Sequence, residues 1–390
     1  MAAFEGVDYY ALDGLLSDEQ KLVRDTVREF VSDKILPVID EHQREGTFPV
    51  EALPGMAAMG LLGANLEGYG LPGLDNISYG LILQELERGD SGLRSFVSVQ
   101  GALCMYPIWR YGSEAQKEQW LPAMGRGDVI ACFGLTEPDA GSDPGAMRTR
   151  AEFDGDEWVL NGVKYWITNG TIAQLAIVWA KTDKGIRGFL VPTDTPGFSA
   201  SKVTGKYSLR VSDTAELVLQ DCRISADNVL PDAEGLKGPL TCLNQARYGI
   251  SWGAVGAAMA CYDEALRYAK NRIAFGRPVA ATQLMQELLV DCVTEITKAQ
   301  LMCLRLGQLK EAGTVTPQQV SMAKRNNVLM ALNTARTCRE ILGGNGILDD
   351  YQSFRHMVNL ESVYTYEGTH QIHTLIVGHD ITGYPAFGEH

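Results

Sequence analysis

The apolar residues change period near residue 128 and change back after Pro231, and no other feature limits the fold of this chain as much. Between 129 and 230 the chain runs in short β-rich segments broken by turn residues. Ala151-Glu152-Phe153 and Trp158-Val159-Leu160 flank Asp154-Gly155-Asp156-Glu157 and read as a hairpin, with further strands at 175–179, 188–191 and 216–219. Strands at roughly ten-residue spacing with no helix between them indicate an antiparallel sheet or barrel.

On either side the pattern is helical. Ser17-Asp18-Glu19-Gln20 is a capping box ahead of Leu22, Val23, Val27, Phe30 and Val31 at helical spacing, with Pro37 late in the run. Helices are predicted over 51–62 and 77–88, and Ser113-Glu114-Ala115-Gln116 opens a short one that ends near Gly125 or Gly127. Beyond Pro231, residues 247–268 carry Gly249, Ser251, Gly253, Ala254, Gly256, Ala257, Ala258 and Ala260, a small-residue run that lets another helix come very close. Long amphipathic helices follow over 283–309 and 318–342, joined near 313–317 and stopped by Gly343-Gly344-Asn345-Gly346, which implies an antiparallel bundle. A chain of 390 residues is too long for one simple core. The expectation is an α+β protein: an N-terminal all-α domain over 1–127, a central β-sheet or barrel domain over 128–231 and a C-terminal helical bundle domain over 232–390.

A net charge of −14 argues against a nucleic-acid partner, whose phosphates need clustered Lys and Arg. No apolar run approaches the ~20 residues that span a bilayer. The start, Met-Ala-Ala-Phe-Glu-Gly-Val-Asp, reads as neither a signal nor a transit peptide. The eight cysteines are scattered with no C-x-x-C pair, as expected for buried, reduced thiols in a cytoplasmic protein.

Several stretches could carry chemistry. Gly68-Tyr69-Gly70-Leu71-Pro72-Gly73 matches a dinucleotide fingerprint on paper, but it follows a helix, so a loop is the better reading. In Tyr366-Glu367-Gly368-Thr369, Thr369 is placed to cap a helix and Glu367 lies just outside it. That carboxylate could be a cap, a metal ligand or a catalytic base. Glu367-x-x-His370 has di-iron spacing, yet no second Glu-x-x-His exists, so no metal is expected. The loop 132–143, rich in glycine, proline and hydroxyls, can cradle phosphate or a polar heterocycle, or be a plain turn-rich connection. In Lys164-Tyr165-Trp166-Ile167-Thr168-Asn169 the Trp could cover a planar ring or be an ordinary buried residue.

Taken in chain order, the loop 133–142, Trp166-Ile167-Thr168 and Glu367-Gly368-Thr369 resemble the acyl-CoA dehydrogenase family of flavoenzymes, and the likeness runs from end to end. Arg272-Ile273-Ala274-Phe275-Gly276, Gln283 and Leu342-Gly343-Gly344-Asn345-Gly346 complete the set. The resemblance implies a helical domain, a β-domain and a four-helix bundle, an FAD cofactor and a homotetramer. FAD would be contacted by Phe133, Leu135, Thr136, Gly141 and Ser142, by Trp166, Ile167 and Thr168, and by Thr369. Arg272, Phe275, Gln283, Leu342, Gly343 and Gly344 would serve its adenosine diphosphate half, some from a neighbouring subunit. Glu367 would be the base that removes the α-proton of an acyl-CoA.

Within the family the likeness is greatest to the glutaryl-CoA dehydrogenases. Three stretches carry it: 86–95, 242–250 and 365–370. It implies substrate contacts from Glu87, Arg94, Ser95, Ser142, Leu243, Asn244, Arg247, Tyr248, Tyr366 and Gly368, release of carbon dioxide, and electron transfer to an electron-transferring flavoprotein. Leu93 and Phe96 depart from the family's usual residues. Arg94 gives the glutaryl assignment a physical basis. A lone guanidinium in an apolar acyl pocket costs several kcal/mol, whereas a glutaryl tail ends in a carboxylate that it can bind. The alternative is a surface pair with Asp90, worth ~0.3–0.5 kcal/mol. A dehydrogenase or oxidase for another short acyl-CoA, and a non-decarboxylating glutaryl-CoA dehydrogenase, are the remaining readings.

Overall fold

A computed structural model of the chain describes residues 4–386; the outer ends of the first and third expected domains, including Met1-Ala2-Ala3, lie outside it. Seven helices come first: α1 (Asp18–Phe30), α2 (Ile39–Glu45), α3 (Leu53–Ala58), α4 (Asn76–Gly89), α5 (Ser91–Ser98), α6 (Tyr106–Tyr111) and α7 (Glu114–Gly125). The capping boxes at Ser17 and Ser113 form as the sequence indicated. Ahead of Pro37, α1 passes into a π-helical turn, Val31–Ile35. The helix expected over 51–62 is shorter: a 3-10 turn at Val50–Ala52 leads into α3, which stops at Ala58. The segment 68–73 is a loop between α3 and α4 with no strand ahead of it.

The middle of the chain forms β1 (Ala131–Gly134), β2 (Arg150–Asp154), β3 (Glu157–Thr168), β4 (Leu175–Thr182), β5 (Gly185–Pro192), β6 (Phe198–Lys202) and β7 (Thr214–Ser225). They make one sheet in the order β1-β4-β2-β3-β7-β6, with β5 also paired to β4. The expected hairpin is β2–β3, antiparallel, turning at Gly155 and Asp156. Most pairings are antiparallel, as expected. The β1–β4 ladder is parallel, and β2 meets β4 in parallel at one residue pair. In β3 the register against β7 shifts between Lys164 and Ile167, and Trp166 there takes a φ of 62°. A bulge of this kind re-aims a side chain out of its ladder.

The last third holds α8 (Lys237–Asn271), a small hairpin of β8 (Ile273–Ala274) and β9 (Arg277–Pro278), α9 (Gln283–Glu311), α10 (Pro317–Ile341), α11 (Gln352–Thr365) and α12 (His370–Thr382). The small-residue run of α8 packs on α4 with almost no gap. A Cβ at Gly256 would stand 1.9 Å from the Gln84 carbonyl oxygen, and one at Gly253 would stand 2.0 Å from Glu87 Oε2. Side chains are thereby excluded at both positions, and the main core spans the N-terminal helices and the bundle. All eight cysteines are free and buried. Among the described residues no helix is long and apolar enough to cross a membrane.

Candidate active site

The loop after β1 is fixed from below. Lys164 on β3 is fully buried, and its Nζ donates to the Leu135 carbonyl at 3.0 Å and to Glu137 Oε1 at 2.8 Å. The Tyr165 N–H donates to the Thr136 carbonyl at 2.9 Å. Glu137 also accepts from the N–H groups of Arg148 at 2.6 Å and Thr149 at 3.0 Å. Burial alone would raise the pKa of Glu137, but these hydrogen bonds outweigh it and hold the carboxyl at about 2. The backbone of the loop is thus rigid, while Gly141, Ser142 and the indole of Trp166 are exposed.

This loop forms one wall of a cleft of about 1240 Å³. The cleft brings together Ser95, Phe133, Leu135, Thr136, Gly141, Ser142, Trp166, Ile167, Thr168, Leu243, Asn244, Arg247, Tyr366, Glu367, Gly368 and Thr369. Pockets for single drug-sized ligands run to about 300–1,000 Å³, so this one has room for a large planar cofactor beside an acyl thioester. The exposed indole and the turn-rich loop suit such a cofactor.

At the opposite wall α11 ends, and the chain turns through Tyr366, Glu367 and Gly368 before Thr369 caps α12 by accepting from the Ile372 N–H at 3.1 Å. Glu367 and Gly368 have φ of 51° and 92°. Three successive carbonyls in this turn are held by cations. Lys324 Nζ donates to the Tyr366 oxygen at 3.0 Å and the Gly368 oxygen at 2.9 Å, and Arg247 Nε donates to the Glu367 oxygen at 2.7 Å. Glu367 as a whole is half-buried, but its Oε2 is sealed from solvent without a hydrogen-bond partner. Burial raises its pKa above the ordinary carboxylate value, against the pull of Arg94, Arg247 and Lys324. Burial likewise lowers the Lys324 ammonium to about 7, with Glu367 opposing, and raises the Tyr366 phenol to about 12, with Arg94 opposing.

Behind Ser95 and Tyr366 lies a buried charge network. Arg94 is completely buried and donates through Nε to Glu87 Oε2 at 2.6 Å and through Nη2 to the Tyr366 hydroxyl. Ser91 Oγ donates to Glu87 Oε1 at 2.8 Å, and the Ser95 and Tyr366 hydroxyls are 3.3 Å apart. Burial works against the charge on Arg94, but Glu87, Tyr366 and Glu367 outweigh it. Its Nη1 has no partner. The surface pair with Asp90 does not form: Asp90 caps α5 through the Gly92 N–H and accepts from Arg355 and Asn359.

Some expected residues lie elsewhere. Tyr248 is a correction: it packs in the core beside Tyr79, and its hydroxyl donates to the Asn76 carbonyl at 2.6 Å, so it does not reach the cleft. Arg272 and Phe275 lie at the β8–β9 hairpin, Gln283 at the start of α9 and Gly343 and Gly344 just past α10, all outside the cleft, with Phe275 fully exposed and Leu342 buried. Conversely, Lys324 was missed. It lies one helical turn after Val320 and one before Val328, so the phase of α10 puts it on the buried face. Val99 and Leu103, from a π-helical turn at Val99–Met105, also line the cleft and were not anticipated. Among the described residues no group of three His, Cys, Asp or Glu side chains is placed to hold a metal ion.

Three domains and a cleft lined by a half-buried carboxylate, a turn-rich loop and an exposed indole at the bulge of β3 describe a flavin-dependent oxidoreductase. Family models match in the same order: acyl-CoA dehydrogenase N-terminal domain over 17–128, middle domain over 132–222 and C-terminal domain over 233–382. The chain belongs to the acyl-CoA dehydrogenase family, and FAD is its cofactor. It is 36% identical to the mitochondrial short-chain specific acyl-CoA dehydrogenase of Homo sapiens over 377 residues, 95% of this chain and 92% of that protein. Its fold superposes with a TM-score of 0.97 on a glutaryl-CoA dehydrogenase of Mycobacterium smegmatis in complex with FADH2, at 50% identity over 98% of this chain and 99% of that one. Butyryl-CoA dehydrogenase of Megasphaera elsdenii gives a TM-score of 0.91 at 33% identity, over 94% of this chain and 98% of that one.

Proposed function

We propose that the protein oxidises glutaryl-CoA to crotonyl-CoA and carbon dioxide. The observation that carries this reading is Arg94, a fully buried guanidinium behind Ser95 and Tyr366 whose Nη1 has no partner. A straight aliphatic tail would leave that donor unmet in a dry site, while the terminal carboxylate of a glutaryl tail meets it with a charge-assisted hydrogen bond. The likeness to a glutaryl-CoA dehydrogenase at 50% identity supports the same substrate. The 36% likeness to a short-chain enzyme favours the second reading, a monocarboxylic short-chain acyl-CoA.

Phe133, Leu135, Thr136, Gly141, Ser142, Trp166, Ile167 and Thr168 would hold the flavin, which supplies the acceptor for the hydride leaving the β-carbon. Glu367 takes the proton from the α-carbon, and its raised pKa brings it nearer the task of a base at neutral pH. The negative charge that develops on the thioester oxygen is met by the Glu367 backbone N–H, an oxyanion-type contact. After oxidation the γ-carboxylate leaves as carbon dioxide, its bonding pair staying on the carbon chain as a dienolate. Glu367, now protonated, returns a proton to the γ-carbon and gives crotonyl-CoA. Tyr366, kept neutral, positions the tail beside Arg94. Electrons then pass to an electron-transferring flavoprotein. The enzyme works in the cytoplasm as a homotetramer in which the surface around Arg272, Phe275, Gln283, Gly343 and Gly344 meets the FAD of another subunit.

Anaerobic titration with glutaryl-CoA tests the proposal: flavin bleaching and carbon dioxide release should rise together. Arg94→Ala should reduce turnover of glutaryl-CoA at least about 100-fold more than turnover of butyryl-CoA, in line with loss of a buried charge pair. Equal losses on the two substrates would remove the dicarboxylate assignment.

A further inference from the structure

We infer that Lys324, which takes no part in the chemistry above, is a positioning residue: it sets the direction in which the Glu367 backbone N–H points. The inference rests on the proposed reaction, with Glu367 as base and its amide facing the thioester.

Lys324 stands on the buried face of α10, 1% exposed, and spends its ammonium on two carbonyls that bracket Glu367 in the chain. The described chain contains no cis peptide bond, so each amide N–H points opposite to the carbonyl of the residue before it. Drawing the Tyr366 carbonyl toward Lys324 therefore turns the Glu367 N–H away from α10. Lys324 does not line the cleft, whereas Tyr366, Glu367 and Gly368 do. Among the described residues that N–H has no hydrogen-bond partner. It is a free donor, aimed by a cation behind it.

The turn needs such a holder. Glu367 has a φ of 51°, a region that L-residues with side chains avoid and keep only where their surroundings over-determine it. Gly368, at a φ of 92°, must stay a glycine, since a Cβ there would stand 2.9 Å from His373 Nε2 and 3.1 Å from Arg247 Nη2, and its freedom gives the turn no stiffness of its own. A buried lysine is itself unfavourable, and burial pulls its pKa down to about 7. Filling space on α10 would need no charge, but gripping two carbonyls on either side of one residue needs several donors on a single atom, which an amino group has.

The test compares wild-type holoenzyme with Lys324→Met and Lys324→Gln. The first readout is the infrared stretch of carbonyl-13C crotonyl-CoA bound to each protein, and the second is the rate of flavin reduction against KM. In the wild type the bound stretch should fall below that of free crotonyl-CoA. In Lys324→Met it should return toward the free value while the rate drops about 10- to 100-fold, less than the ~10²–10³ lost with a direct oxyanion donor. KM should stay within threefold, and Lys324→Gln, with one donor group retained, should fall between. An unchanged stretch in variants that hold FAD overturns the inference, whatever their rates. If neither variant holds FAD, Lys324 is assigned to stability and the inference also falls. A wild type that bleaches with neither glutaryl- nor butyryl-CoA overturns the proposed reaction itself. A wild type that bleaches, beside variants that match it, overturns the role of Lys324 alone.

Discussion

At the β-domain end of the cleft the side chains are open, with Trp166 58% exposed, while Arg94 and Glu87, behind Ser95 and Tyr366 at the far end, are sealed completely and do not themselves line the cleft. Both ends carry a buried ion pair, and the pairs do different work. Lys164 and Glu137 hold backbone: the pair ties β3 to the loop after β1 and leaves the exposed side chains above free to adjust to a bound ring. Glu87 and Arg94 hold a side chain: the pair fixes a guanidinium and leaves one donor unmet. The first arrangement suits recognition of a large surface, whose area supplies the affinity. The second suits discrimination of one functional group, because an unmatched donor in a dry site is costly.

Four substitutions or conditions can break or sharpen that contrast. Glu367→Gln should slow flavin reduction about 10³–10⁴-fold, at the upper end for a general base, and leave the protein yellow, measured by anaerobic stopped flow. Loss of colour would mean that the two ends are not separable. Lys164→Met strands Glu137 and should lower stability by about 3–5 kcal/mol in urea denaturation, with weaker retention of FAD. The third concerns pH. Because burial raises the pKa of Glu367, the acid limb of kcat/KM should lie above the ordinary carboxylate range, with activity lost as pH falls through the raised value. The stability linkage has the opposite sign. A carboxyl whose folded pKa is raised contributes stability that is present below its unfolded pKa and lost as pH rises through the folded one. Glu137, held at about 2, behaves conversely: its contribution is present above the unfolded value and lost as pH falls toward about 2. Activity should therefore climb across a range in which the Glu367 contribution to stability declines, which pH-dependent kinetics and denaturation can compare directly. Smallest in stability is Trp166→Ala: an exposed residue should change unfolding by no more than about 0.5 kcal/mol, while FAD dissociates measurably faster.

The parts legible in the sequence were those with local causes. Ser17 and Ser113 announced their helices because a capping box is complete within four residues, and Thr369 likewise capped α12. The helix α11 was not foreseen, since its N-cap, Tyr351, offers no side-chain hydrogen bond. The helix α5 begins Ser91-Gly92, poor helix formers, and owes its start to Asp90, whose other oxygen is held by residues some 265 positions later. The parallel ladder of β1 with β4 has no local signal at all, because about forty residues separate its strands. In the site, Glu367 stood out in the sequence as an odd carboxylate, whereas Arg94 read from the residues alone pointed to a surface pair with Asp90, and only the family resemblance marked it as a substrate contact. Tyr248 was expected in the cleft from the resemblance of 242–250, but successive residues on a helix point about 100° apart, so Tyr248 enters the core where Arg247 reaches the turn at Glu367.

The missing side chain at Gly253 constrains how such a protein could change its substrate. The Glu87 carboxylate occupies the space that a Cβ at this position would fill. Replacing Arg94 alone leaves Glu87 charged against a bare helix backbone, and replacing Glu87 alone leaves Arg94 unbalanced and a hole beside Gly253. Each single replacement leaves one buried charge without its counter-charge, so a change of acyl-tail preference at this site calls for Glu87 and Arg94 to change together.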